Sequence, residues 1–131
     1  MTVIALVLAA AAGLLHVFIF TLESLRWREP STWRTFGVAS QADADTTAPL
    51  AYNQGFYNLF LAVGTFVGIV VVAVSDTHDS IGWTLIVFAC GSMLAAALVL
   101  LSTGLSNLRA ASIQGVPALL AVVTALVAAT A

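Results

Sequence analysis

The sequence predicts an all-α protein, a polytopic membrane four-helix bundle, and two features of its composition carry that prediction. Of the 131 residues, 61% are hydrophobic and 8% are charged, and the mean hydropathy is +1.07. Soluble domains have roughly 45–50% apolar and about 25% charged residues. Four apolar runs each approach the length of about 20 residues that a spanning helix needs. A soluble core of this size could not bury so much apolar surface, so lipid is the expected solvent.

Composition also excludes several classes of function. The formal net charge is −2 and the chain has no lysine, which argues against a nucleic-acid partner. Cys90 is the only cysteine, so an intramolecular disulfide is impossible, and we interpret it as a packing residue. The sequence identifies no cofactor, and we predict no metal site.

The first predicted span covers residues 3–24, and its apolar run from Val3 to Leu22 is interrupted only by His16. A signal peptide is the alternative, but no basic stretch precedes the apolar run, so we predict a retained span. A polar loop over residues 25–52 follows. Within it, Trp27 and Trp33 suit the headgroup level of a membrane. We expect a short interfacial helix capped by Ser31 and a flexible loop over residues 39–48.

The remaining spans are predicted at about residues 53–74, 81–102 and 108–130. The polar turn between the second and third spans holds Asp76 and His78, and we interpret it as solvated. A fourth helix that began only at Pro117 would reach about 22 Å, which is too short to cross the membrane. We therefore expect it to begin between Asn107 and Ser112.

The four arginines predict the orientation. Three lie in residues 25–52 and the fourth in residues 103–112. The positive-inside rule places these connections in the cytoplasm, with both termini outside. The expected location is a bacterial inner membrane.

Polar residues recur on the predicted helix faces. On the first helix, His16 and Glu23 share a face, and on the second, Gln54 and Asn58 do. The chain therefore predicts a polar funnel that is open to the cytoplasmic side, with His16 about 10 Å deeper than Glu23. The candidate catalytic residues are His16 and Glu23, and the candidate ligand-binding residues are Asn53, Gln54, Tyr57, Asn58, Arg109 and Gln114.

Each candidate has a structural alternative. Glu23 could instead form an ion pair with Arg26 or Arg109, the amides could only join helices, and Tyr57 could be an aromatic-belt or packing residue. An ionisable group in mid-membrane is a candidate functional residue by default, and an unperturbed histidine side chain gains and loses protons near neutrality.

Three segments also resemble a known family. They are His16-x6-Glu23-x3-Trp27, the run from Asn53-Gln54-Gly55-Phe56-Tyr57-Asn58 to Ala62, and Gln114-Gly115-Val116-Pro117-Ala118. Together they resemble the domain-of-unknown-function 1304 family of small bacterial integral membrane proteins. The resemblance covers essentially the whole chain and implies four spans without assigning an activity. Ser24 departs from the family pattern, where Met is expected.

Three hypotheses follow for function. The first is binding or acid–base processing of a small amphipathic molecule, with His16 as proton acceptor or donor. The second is proton-coupled transport, which with four spans requires a homo-oligomer. The third is a structural membrane partner protein without a ligand. The lipid bilayer is the expected partner in all three.

Overall fold

The computed structural model describes residues 1–74 and 79–130, and helices make up most of this range. The helices are α1 (Thr2–Phe20), α2 (Pro30–Thr35), α3 (Gln41–Val74), α4 (Asp79–Ser102) and α5 (Leu108–Ala129). A π-helical turn, Thr21–Leu25, extends α1, and a 3-10 turn, Leu105–Asn107, precedes α5. No strand occurs among the described residues. The predicted all-α class is confirmed.

Within residues 1–74 and 79–130, four helical segments are long and apolar enough to cross a membrane, judged by length and composition. They are Thr2–Leu25, Gln41–Val74, Asp79–Ser102 and Leu105–Ala129. The chain divides into two compact units. The bundle unit contains Met1–Leu15 and Leu61–Ala131, and the polar unit contains His16–Phe60.

The core of the bundle unit takes residues from all four long helices. Small side chains dominate its fully buried positions, with Ile86 and Met93 as the largest. From α3, Leu61, Ile69 and Val72 pack against this core. The buried core residues are Ala5, Ala9, Ala12, Trp83, Ile86, Cys90, Met93, Ala118, Ala121 and Ala125. Close contact through small residues is typical of helices that associate in lipid, where hydrophobicity does not drive association.

Large apolar side chains lie on the outer surface of the bundle unit. Val3 is 74% exposed, Phe88 71% and Val70 57%. A water-soluble protein keeps such residues inside and avoids large exposed apolar patches. The bundle unit therefore presents the surface that a lipid environment favours.

Two glycines bring α3 and α4 into backbone contact. A Cβ on Gly68 would lie 2.8 Å from the carbonyl oxygen of Gly82, and a Cβ on Gly82 would lie 2.8 Å from the carbonyl oxygen of Gly68. Gly64 also faces α4, where its Cβ would meet Ala89 at 3.7 Å. The Gly64-x3-Gly68 pattern thus lies on the helix face that packs against α4.

α5 begins at Leu108 and has Pro117 inside it, in agreement with the expected start between Asn107 and Ser112. Its Gly115 meets α4 closely, because a Cβ there would lie 2.9 Å from Cβ of Ala97. The turn at Asp76–His78 lies outside the described residues.

Within the polar unit, α2 forms but Ser31 does not cap it. The helix begins at Pro30, which suits the first helical position because its missing N–H needs no partner there. The carbonyl oxygen of Glu29 accepts hydrogen bonds from the amides of Thr32 and Trp33, at 2.9 and 3.2 Å. Ser31 lies inside the helix, so the predicted cap is wrong.

The predicted loop over residues 39–48 is also wrong, because α3 begins at Gln41. Ser40 caps this helix, since its Oγ accepts a hydrogen bond from the amide of Asp43 at 3.1 Å. The same Oγ donates to the Asp43 carboxylate at 2.6 Å. The Ser40-x-x-Asp43 spacing is a capping-box signal, and it extends α3 to 34 residues.

Candidate functional site

The π-helical turn at the end of α1 holds Glu23. The amide of Arg26 donates to the carbonyl oxygen of Thr21 at 3.0 Å, a bond that spans five residues. π-turns are rare and are often found at functional sites. Glu23 is only 9% exposed, although it lies near the polar end of an apolar helix. A carboxyl group in such a position requires a polar partner.

Asn58 of α3 supplies that partner. Its Nδ2 donates to Oε2 of Glu23 at 2.8 Å and also to the carbonyl oxygen of Gln54 at 3.2 Å. The second bond orients the Asn58 amide toward Glu23. Among the described residues, Oε1 of Glu23 accepts no hydrogen bond and is not shut away from solvent. One oxygen of the carboxyl group is thus available to a further partner.

Glu23 lies on the wall of a half-open cleft of about 370 Å³ within the polar unit. One wall comes from the π-turn and the residues after it, and the other comes from the first turns of α3. The lining residues are Glu23, Ser24, Leu25, Trp27, Arg28, Asp45, Ala48, Pro49 and Tyr52. The cleft is of the size of small-ligand pockets, which span about 300–1,000 Å³.

Hydrogen bonds and close packing fix the two walls. Oγ of Ser24 donates to the carbonyl oxygen of Tyr52 at 2.8 Å, and Nε1 of Trp27 donates to the carbonyl oxygen of Ala44 at 2.9 Å. Gly55 permits this approach, because a Cβ there would overlap Oγ of Ser24 and lie 3.1 Å from Cβ of Glu23. The rings of Phe20 and Phe56 pack edge to face, with centroids 5.1 Å apart.

Two exposed ion pairs accompany the cleft. Arg28 and Asp45 approach to 3.4 Å on its lining, and Arg26 pairs with Glu29 at 2.7 Å. The hydrogen bond and charge of Arg26 lower the pKa of Glu29, while Glu29 raises the pKa of Arg26. The alternative in which Glu23 pairs with Arg26 is therefore wrong, because that guanidinium is bonded to Glu29.

The other predicted site residues take varied positions. His16 is buried, at 1% exposure. It is not one of the described residues that line the cleft. Asn53 and Gln54 are exposed on α3, and Tyr57 is 61% exposed, with its ring against Phe60. On α5, in the bundle unit, Arg109 is exposed and Gln114 is half-buried.

Sequence reasoning predicted one of the nine lining residues, Glu23, as a site residue and missed the other eight: Leu25, Trp27, Ala48, Tyr52, Ser24, Arg28, Asp45 and Pro49. A signal for the last two was present, because the Ser40-x-x-Asp43 cap starts a helix on which Asp45, Pro49 and Tyr52 are spaced four and three apart. No comparable signal identifies Ser24. In the described part of the chain, no three His, Cys, Asp or Glu side chains cluster as metal ligands would.

The comparison with known families gives one match. The family model described as "Protein of unknown function (DUF1304)" matches residues 8–126, nearly the whole chain. The resemblance seen in the sequence is thereby confirmed. No curated protein and no solved structure matches this chain.

Proposed function

This chain belongs to the DUF1304 family of proteins of unknown function, and we propose that it is an integral membrane protein that binds a small amphipathic molecule in the cleft of its polar unit. The proposal joins two features of the described residues. Four helices carry the apolar outer surface and length that suit a bilayer. One of them ends in a buried carboxyl group beside a cleft.

The geometry of Glu23 carries the proposal. Oε2 accepts the hydrogen bond from Asn58, Oε1 accepts none from the described residues, and Glu23 is one of the residues that line the cleft. Because Oε1 reaches solvent and accepts no hydrogen bond from the described residues, a ligand can donate to it in place of water without breaking a protein contact. A carboxyl oxygen of this kind suits a ligand that donates a hydrogen bond to it.

The cleft walls suit a molecule with both polar and apolar parts. Leu25, Ala48 and Pro49 offer apolar contact, while Glu23, Arg28 and Asp45 offer charge. The lining thus offers apolar, aromatic and charged contacts side by side, and in ligand sites a few polar groups fix the ligand's orientation.

Acid–base processing remains part of the proposal, with Glu23 as the ionisable group on the cleft. His16 lies seven residues before it, about 10 Å along a helix. Glu23 could orient His16 only through a bridging group, or the two side chains could contact opposite ends of one bound molecule. Binding is therefore the function that we test first.

We also propose that the polar unit faces the cytoplasm. Residues 25–52 hold Arg26, Arg28 and Arg34, and short loops with excess arginine stay on the cytoplasmic side. The cleft would then receive its ligand from the cytoplasm or from the inner leaflet.

Thermal unfolding of the purified full chain in neutral detergent tests binding. A library of lipids and amphipathic metabolites is added, and ligands that raise the melting temperature are retested with Asn58→Leu and with Tyr57→Leu as the matched control. Asn58 contacts Glu23, whereas Tyr57 is exposed and outside the cleft. A ligand present at 100 times its Kd adds about 2.7 kcal/mol of stability.

The proposal requires that the shift persist in Tyr57→Leu and shrink in Asn58→Leu. Absence of any shift across the library, together with a lower melting temperature of ligand-free Asn58→Leu, would support the structural role instead. His16→Ala, measured in parallel, reports whether that buried residue affects binding or only folding.

A further inference from the structure

We infer that the ligand of this cleft is an organic ammonium cation with an apolar tail. The inference rests on the proposed function and specifies the charge of the molecule that binds. It follows from three features of the cleft: its excess of carboxyl groups, its aromatic walls and its apolar contacts.

The charges on the cleft wall leave one carboxyl group without a cationic partner. Among the lining residues, Glu23 and Asp45 carry carboxyl groups and Arg28 carries a guanidinium. Arg28 lies 3.4 Å from Asp45, so these two offset each other. Among the described residues, the hydrogen-bond donor to the Glu23 carboxyl group is the neutral amide of Asn58. A buried carboxylate is stabilised when a cation pairs with it, and a bound ammonium group would supply that cation.

Two aromatic side chains on the cleft lining can add to this attraction. Trp27 and Tyr52 both line the cleft. The indole ring of Trp27 is held by its hydrogen bond to the carbonyl oxygen of Ala44 and by packing against Phe36, with centroids 5.3 Å apart. Fixed aromatic faces attract ammonium groups through their negative π-clouds, and tryptophan is the most effective.

The same cleft is unsuited to an anion. A carboxylate or phosphate ligand would face Glu23, and Arg28 is already engaged with Asp45. Like charges at close range repel each other, and this repulsion disfavours the binding of an anionic ligand. The apolar side chains of Leu25, Ala48 and Pro49 suit an alkyl tail or methyl groups on the nitrogen.

Three ligands of equal chain length and different charge test the inference. Octyltrimethylammonium, octanoate and 1-octanol are each titrated into the full chain in neutral maltoside detergent, below their own aggregation concentrations. Melting temperature and tryptophan fluorescence are recorded. We expect octyltrimethylammonium to raise the melting temperature and octanoate to leave it unchanged.

Two substitutions in the cleft should change the affinity for ammonium in opposite directions. Glu23→Gln keeps an acceptor for Asn58 but removes the charge, and should weaken ammonium binding by about tenfold or more. Arg28→Gln removes a positive charge and should tighten ammonium binding by about two- to threefold, as expected for an exposed group. Glu29→Gln is the matched control, because its carboxyl group pairs with Arg26 outside the cleft.

The results separate the two proposals. If octanoate binds as well as octyltrimethylammonium and Glu23→Gln retains both, the inference about charge is overturned while amphiphile binding stands. If none of the three octyl compounds binds but a library ligand does, the inference about charge is overturned and amphiphile binding stands; if no library ligand binds either, both are overturned. Should Glu23→Gln fail to fold, Arg28→Gln decides, since weaker ammonium binding in that variant would overturn the inference.

An ammonium group could come from a membrane lipid or from a diffusible amine. The octyltrimethylammonium titration is therefore repeated in nanodiscs of phosphatidylethanolamine and of phosphatidylglycerol. Loss of the shift in phosphatidylethanolamine alone identifies a lipid headgroup as the occupant. A shift that persists in both identifies a diffusible amine.

Discussion

In the bundle unit, helices meet through alanines and glycines, whereas in the polar unit they meet through hydrogen bonds and aromatic rings. Gly68 and Gly82 place two backbones in contact in the first. In the second, Glu23 bonds to Asn58 and Ser24 bonds to the backbone of Tyr52. Both arrangements bring helices close, but they depend on different properties of the side chains.

This difference predicts how each unit responds to substitution. Where two backbones are in contact there is no room for added side-chain atoms, because those atoms must displace a backbone. A hydrogen-bonded contact between side chains can relax, and within membranes such bonds average about 0.6 kcal/mol. The bundle unit should therefore be sensitive to side-chain volume, and the polar unit to the removal of single donors and acceptors.

The largest effect is expected from Gly82→Leu. A Cβ at this position would lie 2.6 Å from Cγ2 of Val72 and 2.8 Å from its backbone nitrogen. Forcing α3 and α4 apart should cost about 3 kcal/mol or more. Unfolding in mixed micelles of neutral and denaturing detergent, followed by circular dichroism, measures this loss.

Gly91→Ala is the control for glycine replacement, because a Cβ there meets nothing within 4 Å. It should stabilise α4 by roughly 0.5–1 kcal/mol, since alanine loses less backbone entropy than glycine. Equal losses in Gly82→Leu and Gly91→Ala would contradict close packing as the basis of the bundle unit.

Asn58→Leu should have the next largest effect. It leaves Oε2 of Glu23 without its 2.8 Å hydrogen bond and should cost about 1.5 kcal/mol. Asn53→Leu, at an exposed position of the same helix, should cost little. A double-mutant cycle with Glu23→Ala should give a coupling energy of about 0.6–1.7 kcal/mol. A coupling near zero would mean that the bond adds nothing to folding.

Gly55→Ala tests the closest contact in the polar unit. The new methyl group would displace Oγ of Ser24 and break its bond to the carbonyl oxygen of Tyr52. We expect a loss of about 1 kcal/mol. The double variant Ser24→Ala with Gly55→Ala should recover part of it, because the displaced oxygen is gone. Identical stability of the single and double variants would show that the clash lies elsewhere.

The bundle unit was the more predictable from sequence, for a physical reason. Apolar run length and composition report directly on helices in lipid, and they predicted the fold class and the start of α5 with Pro117 inside it.

In the polar unit, depth along the helices also placed Glu23 and Asn58 at the same level, and the structure brings them together.

The polar unit was less predictable because its details depend on single side-chain contacts. Polar composition favoured a loop over residues 39–48, yet the Ser40 cap and alanines form the start of α3. Periodicity assumes a regular helix and cannot indicate the π-turn that orients Glu23. Nor does spacing decide between Glu23 and Glu29 as the partner of Arg26, because both lie three residues away.

The smallest effect is expected from Glu29→Gln, which removes the exposed ion pair with Arg26. Arg26 lowers the pKa of Glu29 in the folded chain, so the pair stabilises folding above the ordinary glutamate pKa of about 4.3. That contribution is lost as the pH falls through the lowered folded-state pKa. Melting temperatures of both proteins, compared from acidic to neutral pH at low and high salt, measure it. We expect a small difference at neutral pH that disappears in acid and in high salt. If Glu29→Gln cost more than Asn58→Leu, surface charge rather than the buried Glu23–Asn58 bond would hold the polar unit together.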